Sequence, residues 1–255
     1  MSLTDGALLA LAGFVAGSIN SIAGGGTFFT FSALLAVGVS PVAANATSAI
    51  AVVPGSVASV LTDRQLIQLT DVPLRNLMLI SLIGGGLGAW LVLRAGDVRF
   101  AAIVPWLLFM ATALFALGPR LAKISIRFRA RYSVATATLM VLAIQFVTST
   151  YGGFFGAGMG IIMLAALVFV FGDDYRTANA CKNLFSIFIQ FGAIVLFLLE
   201  DVIAWHEAGV ITVASILGGW IGVLGARKVP VRLLRAVVIT CGALLGCYYL
   251  YGQIV

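Results

Sequence analysis

The chain has 255 residues, of which 62% are hydrophobic and 9% charged, with a formal net charge of +6; its mean hydropathy is +1.13. A soluble domain carries about 25% charged residues, and several apolar runs here exceed the roughly 20 residues that cross a bilayer, so a soluble protein with a separate globular domain is excluded and a polytopic membrane protein, all-α, is predicted. Most of the basic surplus sits in two short loops, as in loops retained in the cytoplasm, so the charge points to a lipid bilayer and not to a nucleic acid.

The start, Met1-Ser2-Leu3-Thr4-Asp5, lacks the basic region of a signal peptide, so the first helix is expected to be retained. An apolar segment from Ala7 to Val37 is too long for one upright span at about 1.5 Å per residue. It is interrupted at Gly24, Gly25 and Gly26, each of which weakens a helix by about 1 kcal/mol relative to Ala. A turn at Gly38-Val39-Ser40-Pro41 precedes a helix from about Ala43 to Leu61, and Thr62-Asp63-Arg64 reads as a loop. Next come an apolar run from Leu74 to Leu93, a polar turn from Arg94 to Arg99, and a span from Phe100 to Leu117. Gly118-Pro119-Arg120 opens the most basic loop, with Arg120, Lys123, Arg127, Arg129 and Arg131 and no acidic residue.

Then the pattern restarts. Tyr132 to Phe171 is one long apolar stretch broken at residues 152–160 by Gly152, Gly153, Gly156, Gly158 and Gly160. A polar turn holding Asp173 and Asp174, both placed to cap the next helix, leads to a helix from about Ala178 to Leu199. An acidic loop carries Glu200, Asp201 and Glu207; a span runs from Val210 to Gly225; Arg227, Lys228, Arg232 and Arg235 form a second basic loop; and the last span covers Ala236 to Tyr251.

The halves correspond. Phe14-Val15 answers Phe146-Val147, Ala44-Asn45-Ala46 answers Ala178-Asn179-Ala180, and Gly84, Gly85 and Gly88 answer Gly218, Gly219 and Gly222 at one constant offset. Residues 1–119 and 132–255 are therefore read as two transmembrane repeats joined by a basic cytoplasmic loop, 120–131. With both basic loops inside and the acidic loop outside, Gly38 and its counterpart Gly172 fall on opposite faces. The fold expected is thus two inverted-topology repeats with glycine-broken helical hairpins, eight to ten spanning or re-entrant segments, and both termini outside. Gly13 with Gly17, Gly84 with Gly88, and Gly218 with Gly222 are helix-packing pairs.

Broken backbone at membrane depth is tolerated only where protein buries it or it lines a cavity. Helices restart at Thr27 and Met159, and helix N-termini offer free N–H groups to anions. One reading is an anion cradle from Gly24, Gly25, Gly26 and Thr27 together with Gly156 to Gly160, Gly156 and Gly158 foremost; the other is that these glycines only permit a tight bend or close helix contact. The next helix starts supply Asn45, Thr47 and Ser48 in the first half and Asn179, Lys182 and Asn183 in the second. Lys182 either snorkels to the inner surface or pairs with an anionic substrate, since a lysine in hydrocarbon costs about 2.5–3.5 kcal/mol. Gln145, Thr148, Ser149, Tyr151 and Gln190 are further polar positions on second-half spans, and no Asp or Glu sits mid-span.

Three cysteines, Cys181, Cys241 and Cys247, are too few for a disulfide framework. With His206 the one histidine and no CxxC, HExxH or GxxxxGK[ST] motif, no cofactor, metal site or ATP motor is predicted. An enzyme would want a nucleophile–base pair, which is absent.

The glycine tip followed by Pro41-Val42-Ala43-Ala44-Asn45-Ala46-Thr47-Ser48, with Ala178-Asn179-Ala180-Cys181-Lys182-Asn183 in the second half, resembles the TauE/SafE sulfite-exporter family, also called toluene-sulfonate uptake permeases. The likeness covers essentially the whole chain. It implies transport of sulfite, sulfonates or related sulfur-containing anions across the bacterial inner membrane, and maps the family's motif onto Gly24, Gly25, Gly26, Asn45, Thr47, Gly156, Gly158, Asn179 and Lys182. Ser32 departs from the proline expected after the first tip. With the inside negative, moving one negative charge outward gains about 2.3 kcal/mol per 100 mV, which favours export. The rival is a permease for another solute class, a metal cation or a neutral or carboxylate solute; whether the protein is a homo-oligomer is left open.

Overall fold

The computed structural model describes residues 2–22, 25–68, 74–129, 134–171, 174–225 and 231–254. Gly24, Arg131, Gly172, Asp173, Arg227 and Lys228 lie outside the described residues. The described chain is all-helical: α1 (Leu3–Ile22), α2 (Thr27–Ala36), α3 (Pro41–Thr62), α4 (Arg64–Gln68), α5 (Leu74–Arg129), α6 (Val134–Phe154), α7 (Met159–Phe171), α8 (Tyr175–Leu199), α9 (Trp205–Gly225) and α10 (Val231–Ile254).

Among the described residues, four stretches are long and apolar enough to cross a membrane: Leu3–Asn20, Pro41–Thr62, Leu74–Gly118 and Arg176–Leu199. The third has 45 residues, about 68 Å of helix, twice the hydrocarbon thickness of about 30 Å. It does not run straight. Gly96, at φ 69° and ψ 171°, breaks α5 within the predicted polar turn and leaves two limbs, 74–95 and 97–129.

Two expectations need correction. Residues 120–129, read as loop, continue the second limb of α5 as helix. Gly118-Pro119 weakens the helix but does not end it, because Leu121, Ala122 and Lys123 are strong helix formers and proline is tolerated where neighbours re-satisfy the freed carbonyl. Arg64, also read as loop, opens the short helix α4.

The helices pack in matched pairs. α1 lies against α9, while the first limb of α5 lies against α6. A Cβ at Gly218 would collide with the Phe14 carbonyl oxygen, and one at Gly84 would come within 3.1 Å of the Phe146 carbonyl oxygen. Phe14 and Phe146 are sequence counterparts, as are Gly218 and Gly84, so corresponding small residues admit corresponding backbones. Without a hydrophobic drive between helices in lipid, such close approach supplies the packing energy.

The two ends of α3 fix the bundle's polarity. At its N-terminus the Val42 N–H donates to Asp97 Oδ1 at 2.8 Å, tying α3 to the Gly96 break. At its C-terminus Asp63 pairs with Arg176 at 3.3 Å. The 22 residues of α3 rise about 33 Å. The turn around Gly38 and the start of α8 therefore sit at opposite ends of the bundle.

Candidate functional site

The first break separates α1 from α2. Gly25 takes φ 96°, a left-handed conformation, and a Cβ there would collide with the Phe115 ring, so only glycine fits. Asn20, in the last turn of α1, reaches across the break: its Oδ1 accepts from the Gly26 N–H at 2.7 Å. The second break separates α6 from α7. There the Tyr151 carbonyl accepts from Phe155 and Gly156 N–H groups, the Tyr151 hydroxyl donates to the Ala157 carbonyl, and Gly156 takes φ 79°.

The breaks meet. A Cβ at Gly156 would lie 4.0 Å from Thr27 Oγ1. Phe155 packs edge-to-face on Phe31 of α2 at 5.2 Å, and Phe154 on Phe100 of α5 at 5.6 Å. Between the breaks lies a small cavity of about 20 Å³. Gly25 and Thr27 line it from the first break, with Asn20 beside them; Gly156, Met159 and Gly160 line it from the second. α8 contributes Lys182, Asn183, Ser186 and Gln190, and α3 contributes Val52 and Ser56.

Lys182 is 1% exposed. It does not snorkel. Its Nζ donates to the Asn20 main-chain carbonyl at 3.2 Å, and among the described residues it has no acidic partner. Three other polar atoms on the lining, Thr27 Oγ1, Asn183 Nδ2 and Gln190 Oε1, are buried without a hydrogen-bond partner. Each such atom costs about 1–3 kcal/mol, and native proteins contain few. These atoms gather around one cavity, beside a buried lysine that has no acidic partner among the described residues. A cavity needs about 10–15 Å³ to hold one water, so this one has room for about one water-sized molecule.

A second cavity, an open groove of about 780 Å³, lies at the end of α3 where Pro41 starts it. Its rim includes Asp97, Glu200 and Asp201, with the Arg94 guanidinium 5.5 Å over the Trp90 ring. It contains none of the predicted site residues.

The family model described as sulfite exporter TauE/SafE matches residues 9–249. The chain belongs to this family. Among relatives, it is 29% identical over 241 residues to "Probable membrane transporter protein YfcA" of Escherichia coli, covering 94% of this chain and 87% of that protein. It is 28% identical over 250 residues to "Probable membrane transporter protein" of Haemophilus influenzae, covering 97% and 95%. It is 29% identical over 234 residues to "Probable membrane transporter protein ORF9" of a Sinorhizobium species, covering 91% and 87%. No solved structure matches it significantly. The protein is a multi-pass membrane transporter and not an enzyme.

The TauE/SafE motif positions divide into two groups. Gly25, Gly156 and Lys182 line the cavity, with Thr27 and Asn183 from the wider set of predicted residues. The others stand behind it. Asn45 Nδ2 donates to the Phe154 carbonyl at 3.1 Å, holding α3 to the end of α6. Thr47 Oγ1 accepts from the Ala204 N–H at 2.9 Å, and the Ser48 hydroxyl bonds the Thr30 hydroxyl. Gly26 backs onto the Ala16 carbonyl, Gly158 packs on Ala111, and Asn179, in the second turn of α8, is not on the lining. Asn20, Ser56 and Ser186 were not anticipated. The signal for Ser186 was present: Asn183, Ser186 and Gln190 recur at helical spacing on α8.

Proposed function

We propose that this protein is a secondary transporter that exports a small sulfur-containing anion, sulfite or a sulfonate, across the bacterial inner membrane. The carrying observation is the buried Lys182 ammonium, without an acidic partner among the described residues, beside a cavity that both glycine breaks line. A buried cation left unpaired is costly, and an oxyanion in the cavity would offset that cost. Thr27 and Met159, the first residues of α2 and α7, line the same cavity, and the dipoles of both helices favour an anion there. Membership of a family described as sulfite exporters supports the sulfur-anion substrate.

Alternating access uses the same parts. Two inverted repeats, 1–119 and 132–255, would rock about the shared site. The reciprocal glycine contacts and the placement of equivalent turns at opposite ends of α3 support that reading. The small cavity corresponds to a closed state, and opening toward either face admits or releases solute. Both termini would be periplasmic. Export needs no coupling ion, since an inside-negative potential drives an anion outward.

The test is flux from proteoliposomes loaded with sulfite or a simple sulfonate under imposed potentials of either sign. Efflux accelerated by an inside-negative potential supports the function; no flux of any sulfur anion at either polarity refutes it. A metal-cation permease is disfavoured because no group of three or more His, Cys, Asp or Glu side chains is present among the described residues.

A further inference from the structure

We propose that Gln190 is a specificity-determining residue, whose side-chain carbonyl selects anions that also carry an O–H or N–H donor over anions that carry only acceptors. The inference rests on the anion-transport reading above and names the substrate class of the same cavity.

The lining carries both donors and acceptors. The Lys182 ammonium has three N–H bonds, and Asn20 takes one of them. Asn183 Nδ2 is buried and unpartnered. These groups suit the oxygens of a sulfonate or sulfite. Gln190 is 4% exposed, and its Oε1 has no partner. A carbonyl oxygen offers only lone pairs, so an anion oxygen placed against it meets repulsion. The Ser186 hydroxyl donates to the Lys182 carbonyl at 2.8 Å and the Ser56 hydroxyl to the Val52 carbonyl at 3.4 Å, so both hydroxyl hydrogens are already engaged.

A fully deprotonated, acceptor-only anion satisfies Lys182 and Asn183 and leaves Gln190 unpaired. A hydroxyalkanesulfonate, an aminoalkanesulfonate or a singly protonated oxyanion offers partners to both kinds of group. Sites built to hydrogen-bond a substrate hydroxyl reject the analogue lacking it, because their own buried group is then stranded. With one principal acceptor, a preference of about tenfold or more is expected, the factor set by about 1.4 kcal/mol.

The experiment compares flux of 2-hydroxyethanesulfonate with that of 1-propanesulfonate, which replaces the hydroxyl by a methyl, in proteoliposomes of wild type, Gln190→Met and Gln190→Glu. Wild type should favour the hydroxy compound by tenfold or more. Gln190→Met, similar in length but lacking the acceptor, should move the two within about twofold of each other, and its flux of 1-propanesulfonate shows that it is folded. Gln190→Glu, which keeps a side-chain oxygen, should retain the preference at lower flux. No wild-type preference, its persistence in Gln190→Met, or its loss in Gln190→Glu overturns the proposal. If the methionine variant is inactive, the wild-type ratio and the glutamate variant decide. Wild type that moves neither sulfonate nor any other sulfur anion overturns the transport reading itself, and this one with it.

Discussion

The Lys182 ammonium donates to the main-chain carbonyl of Asn20, 3.2 Å away, and so ties α8 to the last turn of α1. A cation at a helix C-terminus is favourably placed against the dipole and the orphan carbonyls there. The same Asn20 holds the far side of the break through its side chain and the Gly26 N–H. Lysine, asparagine and glycine thus form one chain of contacts around the first break.

Replacing Lys182 by methionine should change stability little. The charge-assisted hydrogen bond lost is worth about 1.5–3 kcal/mol, and relief of an unpaired buried lysine returns about 2.5–3.5 kcal/mol. The two largely cancel, so thermal unfolding in detergent should shift by no more than about 2 kcal/mol equivalent. A loss well above 3 kcal/mol would show that Lys182 is chiefly a structural cap.

Asn20→Ala removes the tether across the break and leaves the Gly26 N–H without its acceptor. A loss of about 1–3 kcal/mol is expected. Denaturation should show it, and hydrogen exchange should rise first in the opening residues of α2.

The glycine pairs give a contrast within one helix. A methyl at Gly88 would collide with the Thr150 carbonyl, whereas one at Gly86 finds its nearest neighbour, the Gly192 carbonyl, at 3.6 Å. Gly88→Ala should destabilise by about 1–3 kcal/mol. Gly86→Ala should be neutral or slightly stabilising, because alanine is the better helix former. Equal effects of the two would contradict the packing described for α5 against α6.

How much of this was legible in the sequence depended on whether the signal was local. The restarts at Thr27 and Met159 coincide with the glycine clusters because the residues that permit the break announce it. Asp174 was legible as a cap for the same reason. Pro119 misled, since a proline with good helix formers beyond it does not by itself end a long helix, and α5 continues to Arg129. The roles of Thr47 and Asn45 were hidden: their partners, Ala204 and Phe154, lie far along the chain, and nothing in Thr47 itself distinguishes a hydroxyl facing a backbone N–H from one facing a solute. Lys182 was identified as a residue, but its burial and its contact with Asn20 exist only once the halves are packed.

Asp174 gives a pH-dependent check outside the membrane. Hydrogen bonds from the Thr177 side chain and backbone N–H hold its carboxyl below the usual aspartate range. Because the folded-state value is the lower one, the cap contributes fully above the ordinary aspartate value of about 4 and is lost progressively as pH falls through the folded value. Asp174→Ala should lower stability by about 0.5–1 kcal/mol at neutral pH, and the difference from wild type should shrink on acidification. A difference that grows as the pH falls would contradict the cap.

The most direct measurement is equilibrium binding of a labelled sulfonate to purified wild type and Lys182→Met, both shown to be folded by unchanged thermal unfolding. Pairing of the anion with the buried ammonium predicts at least a tenfold weaker affinity in the variant and parallel loss of flux in proteoliposomes. Undiminished affinity in Lys182→Met would contradict the anion site at the meeting of the two glycine breaks.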